Sequence, residues 1–438
     1  MSDEQISDIS TRRGLLALSP VVVFLALYLV VSIVIGDFYK MPLAVALLAA
    51  SVWGIVIHTR GGTLIERIET FSRSAGHANI LYMIWIFILA GAFASLAKEI
   101  GSIDATVNFT LRFFPSSFIV PALFVASCFI SLSIGTSVGT VVALTPLAVE
   151  MANASGANLP FYVAVVLGGA FFGDNLSFIS DTTIAATRSL GCKMSDKFKA
   201  NLWICLPAAV ITLAIYIFMS LDTPEVVVSD DANPVMILPY IAVLVSAIAG
   251  VNVTVVLSLG IVCALALGLI YGHDIISLFG YMGQGIDSMG DLIIVTLLAA
   301  GMLGVIKAAG GIKYLLGILT ARVSGQRGAQ ACIALLVALV NLCTANNTVA
   351  IITVGSISRE IGSKYGVDPR KNASLLDSCA CIVQCLIPYG AQTLLAASLA
   401  GIAPAAPFIY LYYPWALAAM VILSIIFLFP HRLHKRMA

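Results

Sequence analysis

The sequence predicts an all-α polytopic membrane protein built from two inverted repeats, each with five transmembrane helices and one re-entrant hairpin. The chain of 438 residues is 60% hydrophobic and only 10% charged, whereas soluble domains carry roughly 25% charged residues. Several stretches without charged residues are at least as long as the roughly 20 residues that an α-helix needs to span a bilayer. A weak internal similarity at a constant offset of 210 positions relates the first half of the chain to the second.

Two apolar segments, 113–149 and 328–358, are too long for one crossing and carry Gly, Ser, Thr or Asn near their middle. We therefore expect 117–151 and 329–358 to turn back as hairpins, and we predict ten crossings outside them. The predicted crossings are 15–36, 41–58, 79–97, 160–187, 200–221, 235–250, 252–271, 291–309, 373–398 and 407–429.

The distribution of Lys and Arg favours the hairpins, because cytoplasmic loops are enriched in these residues. With two hairpins, all of the 23 basic residues except Lys40, Lys98 and Arg112 lie on the cytoplasmic side with both termini. If both segments crossed, the basic residues would divide almost evenly between the two sides. Five crossings then separate each element from its repeat mate, and because five is odd the halves are inverted.

These assignments divide the chain into five parts. The net charge of only +1 gives no indication of a nucleic-acid partner, and none is expected. The parts are a cytoplasmic tail at 1–14, a first transmembrane repeat at 15–221, an acidic external linker at 222–234, a second transmembrane repeat at 235–430 and a basic cytoplasmic tail at 431–438.

The segment GAFFGDNLSFISDTTIAA, residues 169–186, places two carboxylates inside a predicted crossing. A charge at the bilayer centre costs about 3 kcal/mol on insertion scales, so such carboxylates are candidates for a functional site. Oxygen ligands suit hard cations, and a carboxylate withdrawn from water can trade a proton for a cation. The candidate ion- and proton-binding residues are Asp174, Asp181, Asn175, Ser177 and Thr182, with the two aspartates as metal ligands. Alternatively, the aspartates cap helix ends beside the basic loop that begins at Arg188.

Each predicted hairpin tip carries several hydroxyl and amide side chains at repeat-related positions. A single hydroxyl in a membrane helix often bonds only its own backbone, but clusters in both tips favour a shared substrate site near the bilayer midplane. The candidate substrate-binding residues are Ser133, Thr136 and Ser137 in the first tip and Asn346, Asn347 and Thr348 in the second.

The repeat mate of 169–186 lies within CIVQCLIPYGAQTLLAA, residues 381–397, where Gln384 aligns with Asp174. Pro388 and Gly390 predict a helix break there too, so this half keeps the polarity but not the carboxylates. The candidates for this second unwound segment are Asp377, Gln384, Gln392 and Thr393. Asp377 has an alternative, structural interpretation, in which it lies near the cytoplasmic end close to Lys371.

Two motifs resemble the NhaC-type sodium/proton antiporter family, which belongs to the broader ion-transporter superfamily. They are FGDNLSFISDTTIAATRSLGCKMSDKF, residues 172–198, and TANNTVAIITVGSISREIGSKYGVDPRKNASLLDS, residues 344–378. The resemblance extends over roughly 60–400. It implies a Na⁺/H⁺ antiporter of the cytoplasmic (inner) membrane of a bacterium, which exchanges cytoplasmic Na⁺ for external H⁺ by alternating access, with Na⁺ bound at Asp174 and Asp181.

The family also includes malate/lactate exchangers, so a Na⁺- or H⁺-coupled carrier of a small organic acid or amino acid is the alternative. An intramembrane aspartyl protease is disfavoured, because Phe171 replaces a glycine of the GxGD motif and both aspartates share one segment. We therefore expect a transporter rather than an enzyme. The expected partners are the lipid bilayer, Na⁺, H⁺ and a small organic anion or amino acid, with no cofactor; a homodimer is left open.

Overall fold

A computed structural model describes residues 10–35, 42–57, 62–113, 116–177, 180–220, 233–249, 251–320 and 323–430. Within these ranges the regular elements are all helices, so the all-α prediction is confirmed. The first half contains α1 (Thr11–Ile35), α2 (Leu43–Ile57), α3 (Leu64–Ala75), α4 (Ala78–Glu99), α5 (Ser102–Phe113), α6 (Ser116–Ile134), α7 (Ser137–Ser155), α8 (Leu159–Leu176), α9 (Asp181–Leu190) and α10 (Met194–Ser220).

The second half continues the helical pattern, with short 3-10 helices at Pro234–Ile237 and Ala406–Tyr410. Its helices are α11 (Leu238–Ile248), α12 (Val253–Ile270), α13 (Ile275–Ser288), α14 (Gly290–Ala308), α15 (Gly311–Thr320), α16 (Gly325–Thr344), α17 (Asn347–Lys364), α18 (Pro369–Leu386), α19 (Ala391–Ala400) and α20 (Tyr412–Ile426).

Nine helical segments in the described ranges are long and apolar enough to cross a membrane, and four shorter apolar helices accompany them. Large apolar side chains on these helices face outward; Val34, Trp203 and Ile276 are 79%, 59% and 80% exposed. Such apolar surfaces are compatible with contact to lipid. The helical backbone is compatible with lipid as well, because each helix satisfies its backbone hydrogen bonds internally.

The structure describes only part of the predicted terminal and linker segments. Within the tail predicted at 1–14, α1 begins at Thr11, and Gly14 N–H donates to Ser10 O (2.9 Å). The predicted linker at 222–234 and the tail at 431–438 lie outside the described residues, apart from Asn233 and Pro234. Four helices, α3, α5, α13 and α15, were not predicted as separate elements, because each is shorter than a membrane span.

Two helix–turn–helix units occupy the segments predicted as hairpins. In hairpin 1 (α6 and α7) the turn is made by Gly135 and Thr136, and in hairpin 2 (α16 and α17) by Ala345 and Asn346. Gly135 has a φ of +73°, and Ala345, 210 positions later, has a φ of +49°. Glycine adopts this left-handed conformation freely, whereas alanine is strained in it.

Both arms of hairpin 1 pack along α8. Ser131 Oγ in α6 donates to Ala170 O (2.6 Å), and Ser155 Oγ in α7 lies 3.4 Å from Tyr162 Oη near the start of α8. Small residues allow this close approach: a Cβ atom built on Gly173 would lie only 2.1 Å from Cβ of Ser131. α7 therefore runs antiparallel to α8, and its first residue reaches the end of α8.

Two helices that follow the hairpins are each interrupted by a short break. Break 1 separates α8 from α9, between Leu176 and Asp181, and break 2 separates α18 from α19, between Leu386 and Ala391. Pro388 explains the second break, because the residue before a proline is driven into extended backbone and Ile387 has a ψ of 129°. The corresponding bounds of the two breaks are again 210 positions apart.

Candidate functional site

A cavity of about 530 Å³ lies where both hairpin tips and both breaks meet. Its lining comes from elements far apart in the sequence: the two hairpin tips, the helix ends that flank the two breaks, and the starts of α4 and α12. The lining residues are Tyr82, Met83, Ile86, Gly135, Thr136, Ser137, Val138, Asp174, Asp181, Thr182, Val251, Asn252, Val253, Asn346, Asn347, Thr348, Gln384, Ala391 and Gln392.

Asp174 lies in the last turn of α8 and is only 4% exposed. Its two carboxylate oxygens accept hydrogen bonds from Ser137, one from the backbone N–H (3.0 Å) and one from the hydroxyl (2.5 Å). Ser137 is the first residue of α7, whose own N-cap Thr136 makes no side-chain capping bond. Asp174 thus caps α7 from another helix, and the positive end of the α7 dipole stabilises its negative charge.

A hydrogen-bonded chain runs from Asp174 across the cavity to the other hairpin. Gln392 Nε2 donates to Ser137 Oγ (3.0 Å), and Gln384 Nε2 donates both to Gln392 Oε1 (3.0 Å) and to Ala345 O (3.0 Å) in the tip of hairpin 2. Ser137 can accept from Gln392 because its own proton is directed to Asp174. The charge at Asp174 is therefore linked by three side chains to both hairpin tips.

Asp181 and Thr182 form the start of α9 on the opposite side of break 1. Asp181 is exposed and lines the cavity, and Thr182 lines it as well. Ser180 caps α9 by accepting from Thr183 N–H (3.2 Å), and its hydroxyl donates to Asp174 O (2.9 Å). The cap role proposed as an alternative for Asp181 therefore belongs to its neighbour Ser180.

In the first half of the chain, three predicted site residues point away from the cavity. Asn175 Nδ2 donates to Asp377 Oδ2 (3.1 Å), Ser177 Oγ donates to Leu132 O (3.2 Å), and Ser133 Oγ donates to Phe129 O (2.9 Å) within its own helix. None of them lines the cavity. The direction in which a polar side chain points depends on how its helix packs. Where a helix is broken, the number of residues between a polar side chain and a nearby carboxylate does not predict whether the two face the same side.

The second half contributes the predicted tip residues Asn346, Asn347 and Thr348, all of which line the cavity. Asn346 also caps α17 through Val349 N–H (3.0 Å). Thr393 is buried outside the cavity lining, and its hydroxyl has no hydrogen-bond partner among the described residues.

The prediction that four residues occupy an unwound second-half segment is wrong in detail. Asp377 and Gln384 lie within α18, and Gln392 and Thr393 lie within the first turn of α19. The unwound residues are 387–390. The position of the break is set by Pro388 and Gly390, which disfavour a continuous helix, and not by the polar side chains. Gln384 and Gln392 still reach the cavity from the two helix ends that flank the break.

Asp377 is paired with Lys197, one of the basic residues expected on the cytoplasmic side. Lys197 Nζ lies 2.9 Å from Asp377 Oδ2, and the two side chains are 1% and 0% exposed. The alternative neighbour, Lys371, is also fully buried but donates to Ser424 Oγ (2.7 Å) and Phe429 O (3.0 Å). A buried carboxylate requires a positively charged or hydrogen-bonding partner. This requirement is the one feature of the sequence that indicates a basic partner for Asp377 other than Lys371.

The sequence is similar to those of known antiporters. A model of the Na⁺/H⁺ antiporter family matches residues 9–221 and 225–430. The chain is 22% identical over 442 residues to the "Malate-2H(+)/Na(+)-lactate antiporter" of Bacillus subtilis, with 93% of each chain covered. It is 25% identical over 400 residues to the "Na(+)/H(+) antiporter NhaC" of Alkalihalophilus pseudofirmus, covering 82% of this chain and 84% of the relative. It is also 24% identical over 458 residues to the "Arginine/ornithine antiporter ArcD" of Halobacterium salinarum, covering 94% and 91%.

Proposed function

This chain belongs to the Na⁺/H⁺ antiporter family, and from that premise we propose that it exchanges cytoplasmic Na⁺ for external H⁺ by alternating access in a bacterial cytoplasmic membrane. The observation that carries the proposal is Asp174, a buried carboxylate that borders the cavity and caps a hairpin tip. It can hold a proton or a cation but not both, and this competition is what couples the two fluxes. No cofactor beyond the exchanged ions is needed.

In this mechanism Na⁺ enters past Asp181 at the exposed part of the cavity and binds at Asp174. Thr182, Asn347 and Gln392 line the same space, and their hydroxyl and amide oxygens belong to the hard ligand class that suits Na⁺. A cation bound at Asp174 would weaken the hydrogen bonds that this carboxylate accepts from Ser137. The change would reach the tips of both hairpins through the hydrogen bonds of Gln392 and Gln384. Replacement of the cation by a proton would reverse this change.

We further propose that the two halves are inverted repeats with both termini in the cytoplasm. In support, α9 packs beside α17, where a Cβ atom on Gly355 would lie 2.4 Å from Cβ of Ser189. In the mirrored contact, α19 packs beside α7 and joins it through Gln392 and Ser137. The base of hairpin 1 then lies at the end of the bundle where α8 begins, and the base of hairpin 2 lies at the end where α9 finishes. Because the cavity is bordered by the starts of α4 and α12, this orientation opens it to the cytoplasm.

Single cysteines at the two hairpin bases test the orientation. Ala154, near the end of α7, and Ser363, near the end of α17, are both exposed. In intact cells, Ala154→Cys should react with a membrane-impermeant maleimide, whereas Ser363→Cys should react only in everted vesicles. The parent protein is the control, because of its nine native cysteines seven are buried and Cys192 and Cys263 are partly exposed. Labelling of both positions from one side would contradict the inversion.

A second candidate is a carrier of a small organic substrate, which the cavity volume of about 530 Å³ favours because a dehydrated Na⁺ fills only a small part of it. The lining carries two carboxylates, Asp174 and Asp181, and none of the described lining residues is Lys, Arg or His. That charge suits an amine or guanidinium group, as in the substrates that the name of the arginine/ornithine relative gives. It disfavours a dicarboxylate such as malate.

Transport in proteoliposomes with an imposed pH gradient tests both candidates. We expect external Na⁺ to dissipate the gradient, whereas choline at equal ionic strength should not. Arginine, ornithine, malate and lactate are added singly in Na⁺-free buffer. A response to arginine or ornithine alone would select the second candidate with an amine or guanidinium substrate. A response to malate or lactate alone would contradict both the Na⁺ assignment and the preference for a positively charged substrate.

A further inference from the structure

The ammonium group of Lys197 lies inside break 1, on the side opposite the cavity. Asp174 and Thr182 border the cavity, while the residues that follow them, Asn175 and Thr183, contact Lys197. Lys197 Nζ donates to Asn175 O (2.7 Å) and to Thr183 Oγ1 (2.7 Å), and it lies 2.9 Å from Asp377 Oδ2. A backbone carbonyl, a hydroxyl and a carboxylate from three helices therefore converge on one positive charge.

These three oxygens account for all the hydrogen-bonding capacity of the ammonium, since a lysine ammonium has three N–H donors and no acceptor. The carbonyl of Asn175 is one of those left without an intrahelical partner at the end of α8. Asn201 reinforces the arrangement by donating to both Asn175 O (2.7 Å) and Asp377 Oδ2 (2.8 Å). The whole group is buried, since Lys197, Asn201 and Asp377 have almost no exposed surface.

Two further oxygens in this group are left without partners. Neither Asp377 Oδ1 nor Asn201 Oδ1 has a hydrogen bond among the described residues. Without the lysine, the position would thus be surrounded by a carbonyl, a hydroxyl and a carboxylate with one free oxygen. Oxygen ligands of this kind, drawn from interrupted helices, suit a dehydrated alkali cation.

We propose that the ammonium of Lys197 is a tethered substitute for an alkali cation at break 1. The carrier then keeps this cation position permanently filled and confines exchange to the cavity side of the break. Lys197 is a positioning residue in this scheme: it joins the ends of α8 and α9 and neutralises Asp377, so that Asp174 and Asp181 alone supply exchangeable charge. The inference does not rest on Na⁺ being the transported ion, because the position lies behind the cavity.

The test is whether removal of the side chain creates a cation site in the full-length protein. Purified Lys197→Ala is unfolded thermally in detergent in NaCl and in choline chloride at equal concentration, beside the wild type. We expect the variant to be less stable in choline, and Na⁺ to raise its Tm by about 5 °C more than it raises that of the wild type. The wild-type response to Na⁺ reports the cavity site, so failure of the proposed function is seen separately from failure of this inference.

Two variants complete the design. Lys371→Ala removes a second buried lysine, whose ammonium contacts Ser424 and Phe429 and forms no ion pair within the part of the chain that the structure describes; it should gain no additional Na⁺ response. In Lys197→Ala/Asp377→Asn, the additional response should disappear with the carboxylate. If Lys197→Ala can be extracted as a monodisperse protein only in NaCl, that rescue supports the proposal. An unchanged Na⁺ response, or loss of the variant in both salts, would overturn it, because a cation able to occupy the position would have restored the fold.

Discussion

Replacement of Asp174 by asparagine is expected to abolish Na⁺-driven proton exchange, to the level of vesicles that lack the protein. The amide is nearly isosteric and can still accept a hydrogen bond from Ser137, so hairpin 1 should remain docked against α8. It can neither take up a proton nor compensate a bound cation, however, and the competition that couples the two fluxes disappears. The measurement is Na⁺-dependent dequenching of a pH-sensitive dye in everted membrane vesicles.

Two further aspartate-to-asparagine variants test whether the loss of exchange is specific to Asp174. Asp104→Asn changes an exposed carboxylate in the first turn of α5, away from the cavity, and should exchange Na⁺ like the wild type. Asp181→Asn should lower the rate less than Asp174→Asn, because Asp181 borders the cavity but is exposed and solvated. Retained exchange in Asp174→Asn, at wild-type amounts of protein in the membrane, would refute the role given to Asp174.

Replacement of Asp377 by asparagine is expected to destabilise the protein by about 3–5 kcal/mol, the usual cost of leaving one member of a buried ion pair without its partner. Lys197 would retain its contacts with Asn175 and Thr183, but its charge would lie uncompensated in a region with no solvent access. Thermal unfolding in detergent would show the loss as a lower Tm. Expression in the membrane should fall with it.

A double-mutant cycle separates this electrostatic effect from altered packing. Lys197→Met/Asp377→Asn removes both charges while keeping most of the side-chain volume, and it should be more stable than Asp377→Asn alone. Residues in direct contact have non-additive effects on stability, and the deviation from additivity measures their interaction. Additive losses in the cycle would mean that Lys197 and Asp377 do not stabilise one another.

Much of the candidate site could be predicted because its backbone determinants are local. The turns at Gly135 and Asn346 and the break at Pro388 interrupt apolar runs with residues that disfavour a continuous helix. The two turns, at 135–136 and 345–346, lie 210 positions apart, so the sequence indicates the same interruption in both halves. The predicted cavity residues Asp174, Asp181 and Asn346 all come together in the folded chain.

The direction in which polar side chains point could not be predicted. Ser133 and Ser137 are four residues apart, yet Ser133 bonds its own helix and Ser137 binds Asp174. The turn at Gly135 changes the chain direction between them, so helical periodicity does not carry from one to the other. Asn175 differs from Asp174 for a related reason: adjacent residues at a helix end face opposite sides of break 1.

By itself, the sequence determined that the chain is an all-helical membrane protein with interrupted helices and carboxylates in its interior, because apolar length, charge and helix-breaking residues act locally. The tertiary structure alone decided which carboxylate serves which purpose. Asp377 meets Lys197 across 180 positions of chain, and only helix packing brings the two together. A lysine that reads as part of a cytoplasmic loop is thereby buried, because the free energy of a desolvated charge depends on the partners that the fold supplies.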